Sequence, residues 1–411
     1  MKPWILASLG ALAIVVALLE LAPTPLTAQG QGGASVGTAA KAATLKTAWG
    51  DPDLQGIWDY PYQTPLQRPA KYAGRQFLTS EEVVALNRQR QAAIDRDFRP
   101  TAKGTEADVA GAYNAIFNTK FPSSNRTSLI VDPPDGRMPP LTPEAKQRNA
   151  VKRAHQLALL QATDSCKNRE ELKRKFGNSS CEGGTYAPTA PRRDAPFPDY
   201  NVDFTNRANG PEDRSAGARC LGSGVPAIGA LQRIVQSPDA VAIYYDIGQG
   251  GGFSRIIPMN ATPHLPSNVR ERYGDARGHW EGDTLVVDVT NFTRKSNFRG
   301  SRENLHVIER YRRVDANSLT YQVTVEDPTT WTKPWTVLVD MTKGDEKANE
   351  VYQQTCHEGN YALTGILSGA RAAEKAFSEG KGPDPATIDI YTTSLFFRRP
   401  DDDVFTLAEG E

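Results

Sequence analysis

Residues 306–327 read "HVIERYRRVDANSLTYQVTVED". Apolar and polar side chains alternate on both sides of Asp315-Ala316-Asn317, the pattern of two strands joined by a tight turn. Take those three residues as the loop, with Asn317 in the left-handed conformation. Val307 then stands opposite Val325, Glu309 opposite Val323, and Tyr311 opposite Tyr321. The other side pairs His306 with Glu326 and Arg310 with Gln322. A two-residue loop would set Val against Thr throughout, so only the longer loop makes the apolar faces coincide. One face of this hairpin is therefore apolar except for Glu309.

Upstream, residues 277–301 read "RGHWEGDTLVVDVTNFTRKSNFRGS". Gly282-Asp283 suits a two-residue turn with Gly first. Trp280 then pairs with Leu285, His279 with Val286, and Arg277 falls opposite Asp288. Trp280, Leu285, Val287 and Val289 share one face. Arg277, His279, Glu281, Thr284 and Asp288 share the other. "TSLIVDPPDGRMP" and "QRIVQSPDAVAIYYD" have the same run–turn character. Strands thus come in consecutive hairpins instead of alternating with helices, which argues against a parallel α/β sheet. The expected fold is mainly β: an antiparallel meander, closed or strongly curved into a barrel-like form, with peripheral helices.

Three helices carry end signals. In "QFLTSEEVVALNRQRQAAIDRDF", Thr79 and Glu82 form a capping box, with Leu78 and Val83 at the staple positions. In "LTPEAKQRNAVKRAHQLALLQA", Thr142 caps and Pro143 takes the first helical position. In "NYALTGILSGARAAEKAFSEG", Asn360 is the expected cap and Gly380 the stop.

The chain opens "MKPWILASLGALAIVVALLELAPTPLTAQG". A Lys, an apolar run from Trp4 to Leu21 and a small-residue exit at Thr27-Ala28 make a secretory leader over residues 1–28. An uncleaved anchor is the rival reading, since the run approaches the length of a membrane span. Residues 29–47 are Gly, Ala, Ser, Thr and Gln-rich and read as a flexible linker. Residues 48–165 are expected to wrap the barrel, 166–358 to form the antiparallel β body, and 359–411 to supply a C-terminal helix and tail. The expected location is periplasmic or secreted, without stable membrane insertion once the leader is removed. Lys+Arg and Asp+Glu both number 48, a balance that argues against nucleic acid as a partner. Four cysteines in an exported chain suggest two disulfides, and the expected pairs are Cys166–Cys181 and Cys220–Cys356.

Chemistry could sit in two places. Arg277, His279 and Asp288 on one strand face resemble an acid/base set, since a carboxylate beside a histidine tunes it toward neutral pH. Glu309 lies on an apolar face, where loss of water should raise its pKa unless a cation compensates; Arg255, Arg299 and Arg302 are available. The two sets can line one cavity only if barrel curvature, or a bulge near Asn291, turns a strand over. Glu309, His279, Asp288 and Arg277 are the expected catalytic residues. Trp331, Trp335, His306 and Arg310 are the expected substrate contacts. His264, His279, His306 and His357 show no metal-motif spacing, so no cofactor is expected, with a metal held by three histidines converging from separate strands as the lesser alternative. There is no GxSxG, and "GQGGGF" is not a dinucleotide fingerprint.

Several phrases together resemble a widespread family of exported bacterial proteins of unassigned function. They are "DPDLQGIW", "NRTSLIVDPPDGRMPPLTPEA", "RGHWEGDTLVVDVTNFT", the stretch from Asn304 to Trp335 that contains "DPTTWTKPW", and "CHEGNYAL". The resemblance spans residues 47 to 372. It implies export and brings no activity, cofactor or site residue. Residues 373–411 extend past it.

The expected function is that of an exported enzyme. It would act on a small, partly apolar organic molecule by acid/base chemistry (hydration or elimination, isomerisation, or hydrolysis) in a barrel pocket. The alternatives are a non-catalytic periplasmic small-molecule-binding protein and an envelope scaffold protein.

Overall fold

The hairpin of residues 306–326 forms in the expected register: His306 faces Glu326, Val307 faces Val325, Glu309 faces Val323, and Tyr311 faces Tyr321. The protein is seen here as a computed structural model that describes residues 45–97, 123–151, 208–214, 219–221, 224–246, 252–259, 263–347 and 361–385. All of these belong to the compact unit Ala43–Glu411.

The described strands are β1 (Gly56–Asp59), β2 (Ile130–Asp132), β3 (Leu231–Gln236), β4 (Ala240–Asp246), β5 (Phe253–Pro258), β6 (Asp275–Glu281), β7 (Thr284–Thr290), β8 (His306–Arg313), β9 (Ser318–Glu326) and β10 (Trp335–Lys343). They form one sheet in the order β5-β4-β3-β1-β10-β9-β8-β7-β6, with β2 also on β10. Every pairing is antiparallel. The sheet curls into a nearly closed barrel, and the ladder is missing only at the seam between β5 and β6. Gly278 of β6 makes that seam close. A Cβ there would collide with Met259 Sδ and stand 2.9 Å from Ile257 Cγ2, so side chains from the β5 end fill the space.

Alternation decides what lies inside. Tyr245, Val287, Val289, Val307, Glu309, Tyr311, Tyr321, Val323, Val325 and Trp335 all point inward and are fully buried. Residues 48–165 do more than wrap this core, because β1 is inserted between β3 and β10 and delivers the buried Trp58. Trp331 and Trp335, expected at a substrate, are packed edge to face with centroids 5.6 Å apart, and Phe298 stacks on Trp335. These rings belong to the core at one end of the barrel.

Turn and cap chemistry holds with two corrections. Gly282 turns with φ 61°, and Trp280 pairs with Leu285 as the two-residue turn requires. The β8–β9 loop has the expected three residues, but Asn317 is not left-handed; the described non-glycine residues with positive φ are Cys220, Asn291 and Arg299. An Asx turn serves instead: Asn317 N–H donates to Asp315 Oδ1 at 2.7 Å, and Arg313 Nη2 donates to Ala316 O at 2.8 Å. Helix α1 (Ser80–Asp97) carries the capping box in both directions, Glu82 N–H to Thr79 Oγ1 at 3.2 Å and Thr79 N–H to Glu82 Oε2 at 2.9 Å. Helix α2 is described over 143–151, and Thr142 Oγ1 accepts from Ala145 N–H at 3.1 Å.

Helix α3 (Ala362–Ser378) starts at Tyr361, which makes no side-chain cap bond; Asn360 lies outside the described residues. Its end follows the Schellman pattern. Gly380 (φ 69°) donates to Phe377 O and Lys381 N–H donates to Ala376 O. Among the described residues no helix is long and apolar enough to cross a membrane. The leader, residues 29–44 of the expected linker, Cys166, Cys181, Cys356 and residues 386–411 also lie outside the described residues, while Lys46 at the linker's end bridges to Pro52.

Candidate functional site

The two sets of polar residues lie on opposite faces of the sheet. β7 and β8 stay in regular register from Thr284↔Arg312 to Val289↔Val307, so no strand turns over. Asn291 does take a positive φ of 56°, but it sits past the end of β7, where its Nδ2 donates to Leu265 O at 2.8 Å. Glu309 is therefore inside the barrel, while Arg277, His279, Asp288, His306 and Arg310 are outside.

Inside, Glu309 meets Arg255, one of the three arginines the sequence offers. Arg255 Nη2 lies 2.5 Å from Glu309 Oε2 and also donates to the Tyr245 hydroxyl. The Tyr321 hydroxyl donates to Glu309 Oε1 at 2.5 Å, and Tyr311 reaches the same oxygen at 3.4 Å. Burial pushes Tyr245 up to about 12 and holds Tyr311 and Tyr321 well above the usual tyrosine range. Burial works against the charge on Arg255, yet Glu309 and the three tyrosines keep its pKa well above the ordinary guanidinium value. The arginine and the tyrosines thus keep one protonation state through the neutral range. They form a fixed polar core, which leaves them unsuited to exchanging protons there.

Outside, a different geometry assembles around Asp288. The His306 Nε2 is 2.8 Å from Asp288 Oδ1, and its Nδ1 is 3.0 Å from Glu326 Oε2. The His264 Nδ1 is 2.9 Å from Asp275 Oδ2, and its Nε2 faces the same Asp288 Oδ1 at 3.6 Å, beyond hydrogen-bond length. Asp275 opens β6 and is almost fully buried because the segment carrying His264 lies across it. Leu265 N–H donates to Asp275 Oδ2 at 2.8 Å, and Arg277 Nη1 balances its charge at 2.6 Å from Oδ1. The segment is fixed at its far end by Glu271 N–H to Asn291 O and by Arg270 Nη1 to Glu303 O at 2.7 Å. His306, held by Asp288 and Glu326, has its pKa raised despite partial burial; Asp288, hydrogen-bonded to His306, has its pKa lowered.

Of the expected set, Asp288 and His306 come together. Arg277 stands opposite Asp288 in the ladder as expected, but its guanidinium makes its ion pair with Asp275, the i−2 neighbour on the same face. His279 is exposed and 3.3 Å from Glu281, which in turn takes Arg310 at 2.5 Å. Hydrogen bonds from Arg310 and then His279 lower the Glu281 pKa. His264, Asp275 and Glu326 complete the cluster and were not among the expected site residues. The Asp275–Arg277 spacing of two was visible in the sequence. His264 lies between Pro263 and Pro266 in coil, where no periodicity reports a neighbour. Among the described residues no three His, Cys, Asp or Glu side chains form a metal-ligand set.

Fold and geometry define a nearly closed antiparallel β-barrel that carries a His–carboxylate cluster on its outer wall. No family profile matches the chain, and no curated protein is similar to it. Solved structures that align with it include wild-type fluorescent protein UnaG, 13% identical, with 31% of this chain and 86% of that chain covered and a TM-score of 0.19. A point mutant of the same protein aligns at 11% identity with the same coverage and TM-score.

Proposed function

We propose that the protein is an exported enzyme that moves protons on a small, partly apolar organic molecule, and that it does so on the outer wall at His264, Asp288 and His306. One observation carries the reading. His264 is held through Nδ1 by the buried, charge-balanced Asp275, while its Nε2 faces Asp288 Oδ1 at the longer distance of 3.6 Å and its side chain is partly exposed. A carboxylate that fixes one ring nitrogen leaves the other as an oriented base. His306, with a carboxylate at each ring nitrogen, is suited to be the proton donor. Ile308, directly across from Asp288 on the same outer face, gives the site an apolar side. Export and kinship with the exported family rest on the leader and the shared phrases.

The test uses nitrobenzisoxazole, a small apolar molecule whose ring opens when a base removes one proton. The purified mature chain is expected to accelerate this opening, and His264→Gln to slow it about 100-fold, the usual worth of a positioned base. Equal rates for the two proteins would refute the assignment.

A second reading rests on other atoms. Arg255 Nε and Nη1 and both amide atoms of Gln232 are buried without a hydrogen-bond partner among the described residues. Such groups call for a buried water or a ligand acceptor, which favours interior binding without catalysis. Native mass spectrometry of the intact chain would show a retained small molecule if this reading holds, and the bare chain mass if it does not.

A further inference from the structure

We infer that Asp288 is a proton relay shared by the two histidines, and that the reaction at this face relocates a proton within one substrate, an isomerisation. The inference rests on the acid/base reading above and narrows it. Its basis is that the Nε2 atoms of His264 and His306 approach one and the same oxygen, Asp288 Oδ1, at 3.6 and 2.8 Å, from two different chain segments. The opposite nitrogen of each ring is held by its own carboxylate, Asp275 for His264 and Glu326 for His306. Neither ring can turn away without losing that bond. Arg277 and Arg310 on this wall are already engaged, with Asp275 and Glu281 respectively.

The step balances without a co-reactant. A substrate C–H bond breaks and its proton goes to His264 Nε2. The electron pair stays on the substrate and shifts along its conjugated frame. His306 Nε2 gives its proton to the atom at the other end, where the new bond forms. His264 is then left protonated and His306 has lost its Nε2 proton. Asp288 Oδ1 takes the proton from the first and hands it to the second, which restores the starting state. The proton taken from the substrate is returned to the pair that supplied the other one, with no net gain or loss, which is the balance an isomerisation requires.

The test follows the ring nitrogens of the full mature chain by NMR through a pH titration. With Asp288 shared, Asp288→Asn should move the His306 transition down by about one pH unit or more, since it removes an adjacent opposite charge. It should also change the His264 signals over the same pH range. His306→Gln, which keeps Asp288, should perturb the His264 signals too, because coupled groups titrate as a set. His264 signals that follow the same curve in wild type and both variants would overturn the relay. Nitrobenzisoxazole opening needs only the base, so the two failures separate. Opening that depends on His264 without coupling removes the relay and leaves the enzyme reading. Absence of opening removes the enzyme reading itself.

Discussion

At the scale of single residues, the two polar clusters behave in opposite ways, and pH separates them. The His306 pKa is raised in the folded protein, chiefly by its hydrogen bond to Asp288. Its contribution to stability is therefore fully present below the unfolded histidine pKa and is lost as pH rises through the folded value. The Asp288 pKa is lowered, chiefly by the same bond, so its contribution is present above the unfolded carboxylate pKa and is lost in acid. The stability difference between wild type and His306→Gln should then be largest between roughly pH 4 and pH 6.5 and shrink at higher pH. Urea unfolding at three pH values measures this, and a difference that grows with rising pH would contradict it. Glu309 should show the cost of a broken buried pair. Glu309→Gln leaves Arg255 charged and uncompensated, and it should lower stability by about 3–5 kcal/mol, whereas replacing both residues by apolar ones should recover much of that loss. A Glu309→Gln protein as stable as wild type would show that the pair is not the fixed core described above.

At the scale of elements, the registers were legible because strand alternation leaves so little freedom. Val307, Tyr311, Tyr321 and Val325 could share a face only with a three-residue loop, and that face became the barrel interior. The same logic put Glu309 on the apolar face and Arg277, His279 and Asp288 on the polar one without deciding which of the two lines a cavity, and it offered Arg255 among the partners for Glu309. On the outer face the register matched His306 with Glu326 but did not show that Asp288 would meet His306 and His264. His264 reaches the wall from coil, and Asp275 is buried by that coil and not by the sheet pattern, so periodicity is silent on both. Asn317 illustrates the same limit, since loop length is set by facing side chains while loop conformation is set by the local Asp315 and Arg313 bonds. Two elements give direct tests. Thr79→Ala removes one half of the α1 capping box and should cost about 1 kcal/mol, read as a lower urea midpoint at unchanged slope. Gly278→Val should push Met259 and Ile257 off the seam between β5 and β6 and lower the melting temperature; an unchanged melt would mean that the seam is looser than its contacts imply.

At the scale of the whole molecule, the proposed function places the chemistry on the wall of the barrel and leaves its packed core as support. The interior is occupied by tryptophans, tyrosines and a neutralised ion pair, so it serves as scaffold. The outer wall gathers two histidines and three carboxylates from β6, β7, β8, β9 and the segment crossing them. The proposed export and disulfide bonding are tested at this scale as well. Periplasmic material should begin near Gln29 and contain no free thiol, as intact-mass measurement with and without a thiol reagent would show; four reactive thiols would contradict it. The central claim is that chemistry is outside the barrel and not within it. The most direct measurement is the rate of nitrobenzisoxazole opening by His264→Gln and by Glu309→Gln, each confirmed folded by circular dichroism under the assay conditions. The account predicts that His264→Gln loses the activity and Glu309→Gln retains it. Loss in Glu309→Gln with full activity in His264→Gln would place the chemistry inside the barrel and contradict the account.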